Sequence, residues 1–87
     1  MYALEIEETC KKNMAKAGLK NSEFKKAVEN KFRQILEDPH RFKSLHYPLQ
    51  NKKRVHILKS FVMVFEIDEK KKVVRILDLD HHDNIYR

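Results

Sequence analysis

The sequence predicts an α+β domain in which a strand and two helices precede a three-stranded antiparallel meander, with both helices packed on one face of the sheet. Apolar residues recur at a helical spacing in the first half of the chain and at a strand-like alternation from residue 52 onward. The chain has 87 residues, so residues 1–87 are expected to form one domain with a modest core. Any site is therefore expected to be an open groove on the uncovered sheet face.

The first two predicted elements are a short strand and a short helix. The strand is indicated by apolar residues at alternate positions, namely Tyr2, Leu4 and Ile6. The helix is predicted over residues 9–17, with Thr9 as its cap and Gly18 ending it in a left-handed turn. Cys10 occupies an apolar position of this helix, and because the chain has one cysteine we expect a buried core residue and no disulfide.

A second, longer helix is predicted to start at Asn21 or Ser22, both of which can cap it. Its apolar stripe consists of Phe24, Ala27, Val28, Phe32, Ile35 and Leu36. The helix is expected to end at Asp38, because a residue that precedes a proline is pushed out of helical geometry. A loop is predicted over residues 40–51.

Three strands are predicted after this loop, over residues 52–58, 61–67 and 73–79. In the first of them, Arg54 and His56 alternate with apolar residues and should share one face. The second is almost continuously apolar, which is typical of a central strand buried on both faces. The three strands together predict the meander.

The charge balance points to a polyanionic partner. Nineteen Lys and Arg residues face thirteen Asp and Glu residues, which gives a formal net charge of +6. Such a surplus favours encounter with nucleic acid, and RNA is the leading candidate. An anionic membrane surface, an acidic protein and a merely solvated lysine surplus are the alternatives. Neither a membrane span nor a secretory signal is evident, so a cytoplasmic location is expected.

Imidazoles and cations are expected to converge on the open sheet face. If the tail after residue 79 lies near the loop that precedes the first meander strand, Arg54, His56 and Arg75 would meet residues 81–86. This combination suits metal-free RNA cleavage, in which the 2′-hydroxyl attacks the adjacent phosphate. The reaction needs a base, an acid and cations around the phosphorane-like transition state, and imidazole serves both proton transfers near neutral pH.

A metal site is not predicted, and neither is a cofactor. His81, His82 and Asp83 are consecutive, and consecutive ligands on an extended chain cannot easily reach one ion. With one glycine, the chain also cannot build a glycine-rich phosphate-binding loop.

Four segments of the sequence resemble a known family. They are Asp38-Pro39-His40-Arg41-Phe42-Lys43-Ser44-Leu45, Arg54-Val55-His56-Ile57, Phe61-Val62-Met63-Val64-Phe65-Glu66-Ile67 and His81-His82-Asp83-Asn84-Ile85-Tyr86. Together with the order of the elements, they resemble the RelE/ParE toxin superfamily over essentially the whole chain.

The sequence pattern and the resemblance together assign roles to two groups of residues, and the resemblance itself implies those of Lys52, Lys53, Arg54, His81 and Tyr86. The residues expected to bind RNA are Lys43, Lys52, Lys53, His56 and Arg75. The residues expected at the catalytic centre are Arg54, His81, His82 and Tyr86, with an imidazole moving protons and Tyr86 positioning a base. Two positions depart from the family pattern, because Val62 stands where many relatives carry Arg and His82 stands where an Arg often follows the His.

The function implied by the resemblance is that of a toxin in a type II toxin–antitoxin pair. A RelE-like member would cut mRNA on the ribosome as a metal-independent endoribonuclease, and an acidic antitoxin would hold it inactive. A ParE-like member would instead inhibit gyrase without being an enzyme. A catalytically degenerate homologue that only binds its antitoxin is a third possibility.

Overall fold

The order of helices and strands confirms the α+β class. The computed structural model describes residues 2–17, 21–45 and 52–81. Its elements are β1 (Ala3–Ile6), α1 (Glu8–Ala17), α2 (Ser22–Glu37), a 3₁₀ turn (Pro39–Arg41), β2 (Lys52–Ile57), β3 (Phe61–Asp68) and β4 (Val73–His81). The predicted helix end at Gly18 lies outside the described residues. The predicted site residues His82 and Tyr86 also lie outside them.

The four strands form one sheet in the order β1-β4-β3-β2. Strand β3 pairs antiparallel with both β2 and β4, so the predicted meander is confirmed. Strand β1 pairs parallel with β4, and Ala3 lies opposite Val73. The last strand is therefore interior, with β1 on one side and β3 on the other.

Helix α1 starts directly after β1. The Glu7 N–H donates to the carbonyl of Ile76 at 3.0 Å, and the Glu7 carbonyl accepts from the N–H of Lys11 at 3.0 Å. The first helical bond thus forms at the residue where sheet pairing ends. The predicted cap at Thr9 is wrong for this reason, because Thr9 already lies within the helix.

Helix α2 begins and ends as the sequence predicts. The Asn21 side-chain oxygen accepts from the N–H groups of Glu23 at 2.9 Å and Phe24 at 3.3 Å, which makes Asn21 the N-cap. The helix ends one residue before Asp38, and a 3₁₀ turn with a buried Pro39 replaces the first part of the predicted loop. No helix among the described residues is long and apolar enough to cross a membrane.

The hydrophobic core lies between the helices and one face of the sheet. Its buried members are Cys10, Met14, Phe24, Val28, Ile35, Val55, Ile57, Met63, Phe65, Val74, Ile76 and Leu79. Burial raises the pKa of the Cys10 thiol to about 12, with a smaller contribution from the negative charge of Asp78. The thiol therefore stays protonated at neutral pH, as expected for a core residue.

Strand β3 is central and is buried on both faces, as predicted. Met63 and Phe65 belong to the core under the helices. Val62 and Val64 alternate with them, so they lie on the opposite face, and both are buried as well. The turns on either side of β3 each contain a residue in the left-handed region, with φ of 55° at Leu58 and 56° at Lys72.

A row of alternating charges crosses the open face. Lys52, Glu66, Arg75 and Glu5 lie opposite one another on the four strands. Arg75 donates to Glu66 at 3.0 Å and to Glu5 at 3.2 Å, and it lies 3.6 Å from Glu7. Lys52 approaches Glu66 at 3.5 Å. These contacts tie the parallel strand β1 to the meander.

We expect Arg75→Gln to destabilise the fold, because it leaves the carboxylates of Glu5, Glu7 and Glu66 close together without their shared cation. These groups are partly solvated, so the loss should be small. Urea unfolding should show the loss at low salt and a smaller one at high salt. Arg33→Gln, on the exposed side of α2, is the matched control.

The opposite result would also be informative. If Arg75→Gln were as stable as the wild type and bound RNA more weakly, Arg75 would be an RNA-binding residue, as the sequence predicts.

Candidate functional site

The side chains of Arg54 and His56 lie on the face of the sheet that the helices do not cover. Arg54 is opposite Val64, and His56 is opposite Val62. Directly paired residues share a face, and the intervening Val55 is buried in the core. The predicted common face of Arg54 and His56 is therefore confirmed.

A groove runs between β2 and the segment that follows the 3₁₀ turn. Its volume is about 340 Å³, and it is lined by Arg41, Phe42, Lys43, Arg54, Val55 and His56. Backbone bonds fix this segment beside the strand, because the Arg54 N–H donates to Lys43 O at 3.1 Å and the Leu45 N–H donates to Lys52 O at 2.9 Å. Three cations and one imidazole thus line one open groove.

Lys53 anchors the segment from the other side of β2. Its ammonium donates to Phe42 O at 3.1 Å and to Ser44 Oγ at 3.2 Å. The ring of Phe42 packs edge-on against Phe65, with centroids 5.8 Å apart. Lys53 alternates with Arg54 and so points to the helix-covered side, where it holds the wall of the groove.

His81 lies on the opposite face from Arg54. It is directly opposite Phe61, and the two rings meet at 5.8 Å in an edge-on contact. Phe61 in turn packs against Phe24 of α2, with centroids 5.0 Å apart. The predicted convergence of His81 with Arg54 and His56 is therefore wrong, because the register of β4 turns His81 toward the helices.

The position of His81 along the sheet also differs from the expectation. The end of β4 lies beside the start of β3 and the end of β2, next to the turn at residues 58–60. The loop that precedes β2 joins the opposite end of that strand. An antiparallel meander places the end of its third strand at the same end of the sheet as the end of its first strand, so the predicted topology already implied this position.

Arg75 shares the open face but lies among carboxylates. The hydrogen bond to Glu5 raises the pKa of its guanidinium, and the bond to Glu66 raises it further. Beside it is a second open cavity, of about 370 Å³, lined by Glu66, Ile67, Asp68, Glu69, Lys70 and Arg75. Arg75 and Lys52 therefore both lie beside acidic groups, whereas the described residues that line the groove at Arg54 include no carboxylate.

Val62 lies between His56 and Asp80 in one row of the open face. Its side chain is fully buried, so an apolar residue fills the position where the resemblance implies an Arg in many relatives.

Arg41 and Asp80 were not predicted as site residues from the sequence. The signals that could have identified them are the closeness of Arg41 to Lys43 in the same loop and the alternation of Asp80 with His81. Among the described residues, no three His, Cys, Asp or Glu side chains are grouped to hold a metal ion.

A cluster of hydrogen bonds around Glu69 holds the 3₁₀ turn from which the groove-lining segment starts. The Glu69 carboxylate accepts from Lys72 at 2.9 Å, from the Tyr2 hydroxyl at 2.7 Å and from His40 Nε2. Tyr2 directly precedes β1, His40 lies in the 3₁₀ turn, and Glu69 and Lys72 lie in the turn between β3 and β4. The bond from Lys72, followed by those from Tyr2 and His40, lowers the pKa of the carboxyl to about 2.

Comparison with known proteins identifies one family. The model of the ParE toxin of the type II toxin–antitoxin system parDE matches residues 3–86. The protein named "Putative toxin RelE4" from Methanocaldococcus jannaschii is 45% identical over 87 residues, which are 100% of this chain and 93% of the relative.

Solved structures share the fold at lower identity. The toxin–antitoxin complex RelBE2 from Mycobacterium tuberculosis aligns with a TM-score of 0.76 at 22% identity, covering 93% of this chain and 98% of that one. The YoeB/ParE toxin from Agrobacterium tumefaciens aligns with a TM-score of 0.80 at 8% identity, covering 92% and 98%. These likenesses confirm the predicted fold.

We expect Glu69→Gln to reduce the acid sensitivity of folding. The folded-state pKa of Glu69 lies at about 2, below its ordinary value of 4.5, so its contribution is present above pH 4.5 and is lost as the pH falls toward 2. Urea unfolding at pH 7, 4 and 2.5 should show a shallower acid loss in the variant. Glu29→Gln, on the exposed side of α2, should retain the wild-type acid profile, and equal profiles for all three proteins would contradict this role of Glu69.

Proposed function

The chain belongs to the ParE toxin family of type II toxin–antitoxin systems, and we propose that it is a toxin that cuts mRNA on the ribosome by attack of the 2′-hydroxyl, without a metal ion. The observation that carries the proposal is the groove at the edge of the sheet, between β2 and the segment that follows the 3₁₀ turn, whose lining includes Arg41, Lys43, Arg54 and His56. An open cationic groove with an imidazole in its lining suits a polyanion that must undergo proton transfer at neutral pH.

The cations have distinct tasks in this proposal. Arg54 binds the scissile phosphate, because a guanidinium can donate two hydrogen bonds to phosphate oxygens and stabilise charge that builds up in the transition state. Lys43 and Arg41 attract the flanking phosphates along the wall of the groove. Lys52 is a weaker contributor, because it shares the carboxylate of Glu66.

The other predicted site residues contribute in different ways. Lys53 acts indirectly, by holding the segment that forms the groove wall. Arg75 is held by Glu5 and Glu66, so its main role is in the sheet. The roles of His81 and His82 in proton transfer and of Tyr86 in positioning a base stay predictions.

Gyrase inhibition is the second candidate function. It is supported by the match to the ParE family model and by the buried Val62, which leaves the open face without one guanidinium that the endonuclease pattern would supply. A toxin of that kind would need the groove only as a docking surface. A degenerate toxin that binds its antitoxin and does nothing else is the third candidate.

An acidic antitoxin is the proposed partner. The structural neighbour from Mycobacterium tuberculosis is a toxin–antitoxin complex, and the net charge of +6 favours a partner of opposite sign. An antitoxin that covers the groove at Arg54 would keep RNA out of it and so hold the toxin inactive. In this proposal the toxin acts in the cytoplasm, together with ribosomes and mRNA and without a membrane.

We expect Arg54→Ala to weaken both ribosome binding and cleavage. The residue faces the phosphate in the ground state and in the transition state, so the single-turnover rate should fall by about 10²-fold. The slope of log affinity against log salt should become shallower by about 1, because one phosphate contact is lost. The measurement is cleavage and binding on ribosomes programmed with one codon in the A site.

Arg33→Ala removes the same charge from the exposed side of α2 and should leave both quantities near the wild-type values. Equal losses in the two variants would mean that net charge, rather than the groove, governs binding. Intact mRNA together with loss of gyrase supercoiling activity would favour the gyrase candidate instead.

The antitoxin proposal predicts a stable complex with the product of a small acidic reading frame beside this gene. The two proteins should co-elute in gel filtration at low salt, and their association rate should fall as salt rises, because electrostatic complementarity mainly sets the rate and specificity of encounter. Adding the partner should stop cleavage on programmed ribosomes. Separate elution at low salt would rule out this product as the antitoxin.

A further inference from the structure

The described residues include three imidazoles in different surroundings. His40 is bonded to Glu69 and Tyr2 beside the turn between β3 and β4. His81 lies on the helix-covered face with its ring against Phe61. His56 alone of these three lies on the open face and lines the groove that Arg54 also lines.

The spacing of His56 and Arg54 suits a single phosphodiester. Residues two apart on a strand point to the same face and are separated by about 7 Å. A phosphate held by the guanidinium would therefore leave the adjoining ribose near the imidazole. His56 is exposed to solvent, so an RNA strand can approach it from outside.

The charged groups that face His56 come from three elements. Arg54 is on its own strand, and Arg41 and Lys43 lie across the groove. Asp80 lies beyond Val62 in the same row, at about 10 Å because two strand spacings separate them. Among the described residues, the charged side chains that line the groove with His56 are Arg41, Lys43 and Arg54, and they attract the phosphate to the place where the imidazole can reach a neighbouring hydroxyl.

We infer that His56 is the general base of the proposed RNA cleavage. In this step His56 takes the proton of the 2′-hydroxyl, and the 2′-oxygen forms a bond to phosphorus. The bond from phosphorus to the 5′-oxygen breaks, and that oxygen takes a proton from solvent water. The products are a 2′,3′-cyclic phosphate and a 5′-hydroxyl. This inference rests on the proposed endonuclease function and assigns the proton acceptor within the same groove.

The pH dependence of single-turnover cleavage on programmed ribosomes tests the inference. The wild-type rate should rise with pH across the range in which imidazoles lose their proton, roughly pH 5–8, because the neutral form is the base. His56→Gln should cut about 10²–10⁴-fold more slowly and should lack the rising limb. Ribosome binding should change little, because an uncharged imidazole adds little affinity for a polyanion.

Chemical rescue separates catalysis from structure. His56→Ala opens space at an exposed position, so added imidazole should restore part of its cleavage rate. Arg33→Gln is the control, because it changes an exposed side chain of α2 outside the groove and should keep the wild-type rate and pH profile. A rising limb that disappears in His81→Gln but persists in His56→Gln would transfer the role to His81.

The outcomes distinguish the two proposals. If the wild type does not cut programmed ribosomes, the endonuclease function is overturned, and the assignment of His56 is overturned with it. If the wild type cuts and both His56 variants cut at the same rate with the same pH profile, only the assignment of His56 is overturned. The assignment would also be overturned if His56→Ala cut more slowly, gained no rate from added imidazole and kept the wild-type pH profile in its remaining cleavage.

Discussion

Strand β3 is the element on which the rest of the sheet depends, because it is paired on both edges and buried on both faces. Val62 and Val64 face away from the helices, and Met63 and Phe65 face toward them. Moving β2 or β4 by one residue against β3 would turn their apolar side chains to water and bring charged ones into the core. Burial therefore fixes the register of both neighbours, and the register decides the face on which every polar side chain lies.

The fixed register divides the open face into two electrostatic halves. At one end of β2, Lys52 and Arg75 alternate with Glu66 and Glu5, so cations and carboxylates largely cancel. Toward the other end of β2, Arg54 lies beside a loop that adds further cations. The cations in the first half are therefore paired with carboxylates, whereas the described residues that line the groove add three cations to one place.

The sequence predicted the features that depend on local periodicity and on capping residues, namely the helices and strands and the limits of α2. The alternation around Val55 and the apolar run of β3 identified the strands, and Asn21 and Asp38 marked the limits of α2. The partner of β1 was not predictable, because four residues of alternating pattern pair equally well with several neighbours. The left-handed conformations of Leu58 and Lys72 were also not predictable, because glycine would normally be the signal for positive φ. For the site, the common face of Arg54 and His56 followed from a period of two within one strand. The face of His81 required the register between strands, which pattern alone does not contain.

The openness of the groove explains why a ribosome would be needed in the proposed reaction. In a groove exposed to water, the interaction of Arg54 with a phosphate is weakened by the high dielectric constant and by salt. A transition state gains far more from the same guanidinium when water is excluded. A chain of 87 residues builds only a modest core, and the proposed site is an open groove. A large partner that covers the groove and holds the mRNA would supply both the exclusion of water and the orientation of the 2′-hydroxyl. The toxin then needs to contribute only a cation and a proton acceptor on a rigid strand, which are the groups that β2 presents at Arg54 and His56.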